Sequence, residues 1–301
     1  VHVPNPRFLQ HSTSTLHEKN SMMVGSESHR TLQIYIPLAI FMVLLLFPFY
    51  WMTIVSLKPS SDLFDMNFNP FWVQRFTFEN YTYLFENTEF WSWLWNTMII
   101  AIVSTALSIF CSICIGYALA RLKFPGSDFM GIGIFLVYLV PPTLLFIPMA
   151  QVIGALNLFN THWSLILTYP TQLIPFASWL LMGYFLTIPK EIEESALMDG
   201  CSRIQILIRI VLPLSVPGIL SATIFCFTLC WNEFLYALIF MSSGDMKTIP
   251  VGTVSDLIKA DTLFWGSLMA SALLGSVPVA FIYSFFVKYY VSGLTASAVK
   301  G

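Results

Sequence analysis

Cys111 and Cys114 form a Cys-x-x-Cys pair within one apolar stretch, a spacing that suits dithiol exchange or half of a metal site. No further Cys or His falls at ligand spacing beside them, and tetrahedral sites need four such donors. Four of the five cysteines lie in apolar runs, so the pair, with Cys226 and Cys230, reads as small apolar filler. His2, His11, His17, His29 and His162 fall in the N-terminal segment or in a loop, which leaves little material for a buried base. Glu233 differs: it is the one formal charge well inside an apolar stretch, where ions are costly and default to function. Two readings of it stay open. It is either a structural partner that fixes a local unwinding with Asn232, or a residue on a solute path. The G-x-x-x-x-G-K-[ST] phosphate loop is absent from the sequence. No catalytic residue, metal site or bound cofactor is expected on this chain.

The elements that hold these side chains are membrane helices. Of 301 residues, 56% are hydrophobic and 10% charged, with a mean hydropathy of +0.74. Soluble domains carry about a quarter charged residues, so lipid must replace water over most of this surface. No basic patch points to nucleic acid. Six stretches reach the roughly 20 apolar residues that a spanning helix needs: 34–57, 94–120, 129–153, 164–186, 216–240 and 264–286. With both termini in the cytoplasm, ten of the 14 Lys and Arg residues lie inside, and Lys58, Arg75, Lys247 and Lys259 lie outside. The sequence is therefore read as an all-α membrane protein. Residues 1–33 form a flexible cytoplasmic tail, 34–291 the membrane domain and 292–301 a cytoplasmic tail.

Within the spans, Ser104, Ser108, Ser112, Gly116 and Ala120 recur every four residues and predict a close helix–helix seam, as do Ser267, Ser271 and Gly275. Pro141, Pro142, Pro170, Pro175, Pro217 and Pro278 interrupt spans three to six, which fits kinked helices around a cavity. The first outer loop is acidic and aromatic, from Trp72 to Trp95. Its rings read as an interfacial belt that explains the residues near Trp93, and a docking surface for an extracytoplasmic partner is compatible with it.

The loop 187–213 between spans four and five is the most informative segment. Pro189 suits the first turn of a helix, and Glu191, Glu193 and Glu194 lie near its positive dipole end. Gly200 is placed to end that helix, and Ser202 with Gln205 makes a capping box for a second one that runs to Pro213. Acids on one part, with Leu197 and Met198 on another, suit insertion into a cleft of a cytoplasmic protein.

Glu194-Ser195-Ala196, Asp199-Gly200 and Ile210-Val211-Leu212-Pro213 resemble the cytoplasmic-loop motif of ABC importer permeases: Glu-Ala-Ala, a Gly, then Ile-x-Leu-Pro. Ser195 departs from the middle Ala, a small-for-small change. Asn96-Thr97, the segment Tyr117–Gly126 and Trp231-Asn-Glu-Phe234 are similar to the sugar permeases of that family, and 293–301 to the tail of the maltose-type subunit. Together these matches cover residues 34–301.

The resemblance implies a carbohydrate importer in a bacterial or archaeal plasma (inner) membrane. It implies a second permease subunit, an ABC ATPase dimer that holds ATP and Mg, and an extracytoplasmic sugar-binding protein. Glu194 would pair with a basic residue of the ATPase, Ala196 would permit close approach to it, and Gly200 would make the turn. The tail from Leu294 through Thr295, Val299 and Lys300 to Gly301 would reach toward the ATPase interface. Tyr138, Thr143, Tyr169 and Gln172 offer the rings, hydroxyls and amides of a sugar path, with Asn232 and Glu233. Two alternatives remain: an ABC importer for another solute such as glycerol phosphate, and an ion-coupled secondary transporter. The spans hold essentially no Arg or Lys for a phosphate ester, and ion coupling predicts several intramembrane carboxylates where Glu233 stands alone.

Overall fold

The structure, a computed structural model, describes residues 31–65, 69–122, 124–259 and 262–298. The chain divides into two units after Ile54. In the first, a π-helical turn at Thr31–Tyr35 leads into α1, Ile36–Ser56, a helix whose residues are mostly apolar all round. That pattern belongs to a helix facing lipid rather than a water-exposed surface. The helix starts three residues before the boundary expected at 34, and positions 1–30 lie outside the described residues.

The second unit is built on α3, Phe90–Arg121, and α6, His162–Leu186, which make the most extensive helix pair. The serine stripe is their seam. Ser104, Ser108 and Ser112 are fully buried, and a Cβ on Gly116 would stand 3.1 Å from both the Met182 nitrogen and the Ser178 oxygen. Between lipid-embedded helices the drive is close packing, which small residues permit. α9, Val216–Trp231, packs on α3, α6 and α12, Trp265–Ala298. The second stripe is also a seam. On α12, Ser271 shares a 2.6 Å hydrogen bond with Thr253 of α11, Ile249–Leu257, and the Gly275 carbonyl accepts Trp231 Nε1 at 3.1 Å.

Among the described residues, four helices are long and apolar enough to cross a membrane, and up to six spans result if each of two bent pairs counts as one. One pair is the expected span 129–153, the other joins 203–214 to 216–231, and the expected span 216–240 is interrupted as well. The stretch 129–153 forms α4, Ser127–Tyr138, and α5, Pro142–Ala155, bent by 96°. Pro141 and Pro142 remove two N–H donors and push the residue before them out of helical geometry. The stretch 216–240 stops at Trp231 and restarts as α10, Leu235–Phe240. At the other end, α12 continues as helix through the boundary expected at 291 as far as Ala298.

The Phe90 end of α3 is closed by α2, Glu79–Asn87, by α11 and by a two-residue hairpin pairing Ile258 with Leu263 and Lys259 with Thr262. Asn80 donates to the carbonyls of Ser56 and Lys58 at 3.0 and 2.8 Å. Lys58 Nζ donates to those of Asn69 and Pro70, both at 2.8 Å. Arg75 forms an ion pair with buried Asp62. The aromatic belt expected here is split. Trp72, Trp91 and Trp95 are exposed, but Trp93 is fully buried and donates to the Gly244 carbonyl at 2.9 Å. Trp93 is therefore core, because a loop 151 positions later in the chain folds over it.

Candidate functional site

The loop opens where α6 ends. Pro189 caps the N-terminus of α7, Lys190–Met198, one residue earlier than the first turn. Glu191 and Glu193 occupy that first turn, where the helix dipole favours carboxylates. Gly200 has φ of +84°, a left-handed conformation that side chains resist. Its N–H donates to the Leu197 carbonyl, and the Cys201 N–H to the Ala196 carbonyl, both at 3.0 Å. This is the Schellman pattern, which satisfies the last carbonyls of the helix. The chain then passes directly into a capping box: Gln205 N–H donates to Ser202 Oγ at 3.3 Å, and Ser202 N–H to Gln205 Oε1 at 2.7 Å. α8, Arg203–Leu214, follows, wound as a π-helix over Leu207–Val211, and meets α9 at 80°.

Two back-to-back caps leave few free backbone groups between α7 and α8, so the elbow is stiff. Its outer surface presents Glu194, Ser195, Asp199 and Gly200, with apolar Met198 at 89% and Ile204 at 70% exposure. Leu197, Ile210 and Leu212 are half-buried, and Pro213 is exposed. One expectation is corrected. Ala196 does not lie at a partner-facing surface; it is buried in this chain's own core. It permits α7 to approach its own bundle, because positions 193 and 196 share the inward face of the helix.

Sequence reasoning missed what holds that inward face. Arg121, at the end of α3, places Nε 2.6 Å from Glu193 Oε1, with both side chains 4% exposed. Tyr117 donates to Glu193 Oε2 at 3.2 Å. Arg121 Nη2 also donates to the carbonyls of Phe185 and Ile188 at 2.7 and 2.6 Å. The guanidinium thus stands at the negative end of α6 and pairs with the carboxylate of α7. An Arg at the end of one span and a Glu far along the chain gave no spacing signal; only the fold brings them together.

The path candidates divide. Glu233 Oε1 accepts the Tyr236 N–H at 2.9 Å, and Oε2 accepts the Ala237 N–H at 3.1 Å and the Tyr169 hydroxyl at 2.8 Å. Both oxygens cap the start of α10, and the side chain is half-buried. Asn232 donates to the Thr228 carbonyl at 2.9 Å and ends α9. Tyr236 donates to the Pro142 carbonyl at 3.0 Å, so the two broken helices meet here. Gln172 is half-buried. Tyr138 is exposed, with its ring 5.2 Å from that of Phe176, apart from the Glu233 cluster. His162 is not in a loop; it opens α6 and lies 2.8 Å from Asn96 Oδ1. Asn96 and Thr97 bind the 245–249 segment through the Asp245 and Lys247 carbonyls and the Ile249 N–H. Leu294 and Thr295 lie on the backbone of α12, and Val299, Lys300 and Gly301 lie outside the described residues.

Residues 112–295 match the family described as binding-protein-dependent transport system inner membrane component. The chain is 37% identical over 269 residues to the inner membrane ABC transporter permease protein YcjP of Escherichia coli strain K12, covering 89% of this chain and 95% of that one. It is 33% identical to the trehalose/maltose transport system permease protein MalG of Thermococcus litoralis, covering 86% and 93%. The fold is similar to a crystal structure of a bacterial ABC transporter involved in the import of the acidic polysaccharide alginate. There the TM-score is 0.74 at 21% identity, over 88% of this chain and 99% of that one.

Proposed function

Since this chain belongs to the binding-protein-dependent transport system inner membrane components, we propose that it is the permease subunit of an ATP-driven sugar importer. It forms half of a translocation pathway with a second permease subunit. Two copies of an ABC ATPase bind on the cytoplasmic side and hold ATP and Mg, and a sugar-binding protein docks on the other face. The loop 187–213 and both termini are cytoplasmic. The sugar assignment is supported by the trehalose/maltose relative and by the Trp231-Asn-Glu-Phe234 segment.

The observation that carries the reading is the stiff elbow of α7 and α8, which offers Glu194, Met198 and Ile204 outward on a fixed backbone. ATP can bias an inward–outward equilibrium only if its binding energy differs between the two states and reaches the helices. A short, doubly capped helix transmits displacement without absorbing it. Glu194 supplies a carboxylate for a basic residue of the ATPase, and Met198 an adaptable apolar contact.

The test is Glu194→Lys in the complete complex, reconstituted with companion permease, ATPase and binding protein and assayed with maltose and trehalose. Uptake is expected to fall to background while the chain still inserts in wild-type amount. Wild-type uptake by that variant would overturn the docking role. Stimulation of ATP hydrolysis by binding protein loaded with one sugar of a panel, and not by the others, identifies the substrate.

A further inference from the structure

We propose that Arg121, Glu193 and Tyr117 form a buried key that seats α7 on the ends of α3 and α6, making Arg121 and Glu193 positioning residues for coupling. The proposal rests on the reading of α7 as the ATPase-docking helix. Of three glutamates in this helix, Glu191 and Glu194 are exposed and Glu193 alone turns inward. Its Oε1 lies 2.6 Å from Arg121 Nε in a buried ion pair, and its Oε2 accepts from the Tyr117 hydroxyl. Arg203, at the start of α8, interacts with the same hydroxyl. The other side of the guanidinium holds the Phe185 and Ile188 carbonyls. One side chain therefore joins the end of α3, the last turn of α6 and the first turn of α7.

Two arguments make this a device for registration rather than simply for stability. A buried ion pair adds little net stability over a well-packed apolar pair, because desolvation offsets the attraction. An apolar contact in its place would hold α7 nearly as well but would let it slide. The ion pair is short and buried, and the Tyr117 hydroxyl fixes the other carboxylate oxygen, so α7 cannot rotate or shift without moving α3. Arg121 belongs to α3, whose seam with α6 is the most extensive in the bundle. Displacement of the docking helix is thereby delivered to two spanning helices at once.

The experiment measures ATP hydrolysed per sugar taken up, in proteoliposomes holding the full chain with its companion permease and ATPase and supplied with loaded binding protein. Co-purification of the ATPase is scored alongside. Glu193→Gln keeps the shape and removes the charge, and Tyr117→Phe removes one hydroxyl. With the ATPase still bound, ATP per sugar is expected to rise about tenfold for Glu193→Gln and about threefold for Tyr117→Phe, from the loss of a buried ion pair and of one hydroxyl–carboxylate hydrogen bond. The reciprocal pair Arg121→Glu with Glu193→Arg is expected to recover coupling relative to either single reversal. Assembled Glu193→Gln and Tyr117→Phe complexes with the wild-type ratio overturn the proposal. If Glu193→Gln does not assemble, Tyr117→Phe decides alone. Failure of the docking reading shows separately, as normal coupling in Glu194→Lys.

Discussion

Glu193 and Glu233 are both drawn into this unit, and their surroundings differ in kind. Glu193 faces a guanidinium and a phenol contributed by another helix. Glu233 faces two N–H groups of the helix it precedes and the Tyr169 hydroxyl, all neutral donors. The first arrangement ties distant elements; the second closes a local break. A carboxylate paired with a cation depends on that partner for most of its compensation. One held by several dipoles loses only a part when any one is removed. The loop is thus built for registration, and the 232–234 break for shape.

This contrast can be broken experimentally at the loop first. Arg121→Ala leaves the Glu193 charge buried and unpaired, a loss of about 3–5 kcal/mol. It is expected as a fall in the thermal unfolding midpoint of the detergent-solubilised chain, and as renewed protease access to 187–203. A change no larger than that of a surface substitution would show that Glu193 has another partner. Glu233→Ala removes the cap of α10 and costs about 1–2 kcal/mol. Its signature is faster hydrogen exchange confined to 232–240, whereas an effect as large as that of Arg121→Ala would erase the distinction.

The smallest effect lies at the opposite end of the unit. The hydrogen bond from Arg75 holds the Asp62 carboxyl below its usual range. A depressed carboxylate pKa stabilises the folded form fully above the unfolded value, near about 4, and that contribution is lost as pH falls through the lower folded one. Exchange protection of residues 57–65 should hold from neutral pH down to about 5 and decline only below about 4. In Arg75→Ala the decline should begin at higher pH. An unchanged onset would show that Arg75 is not what holds Asp62.

What the sequence disclosed and what it concealed follow from the range of each interaction. Gly200, Ser202 and Gln205 announce their caps because a cap involves residues a few positions apart. The four-residue stripes announce seams because periodicity alone puts Ser104 and Gly116 on one face. Pro141 and Pro142 signal the bend between α4 and α5, but not its angle of 96°. Glu193 looked like a helix-dipole residue and Trp93 like part of a lipid belt. Each is placed by a group far away in the chain, Arg121 in one case and Gly244 in the other. Ala196 was assigned to the surface by its motif, and only the orientation of α7 reveals that it points home.

The seam between α3 and α6 has a mechanical corollary. On the α3 side its relief is shallow, with hydroxyls and a bare Cα that let the α6 backbone and Leu181 come close. A repeat of four residues is also a ruler: one step along it is about 6 Å. Slippage by one notch would bring Ser112 to the place of Gly116, where any Cβ stands 3.1 Å from the backbone of α6. The notch at Gly116 thus fixes the lengthwise position of the two helices as well as their separation.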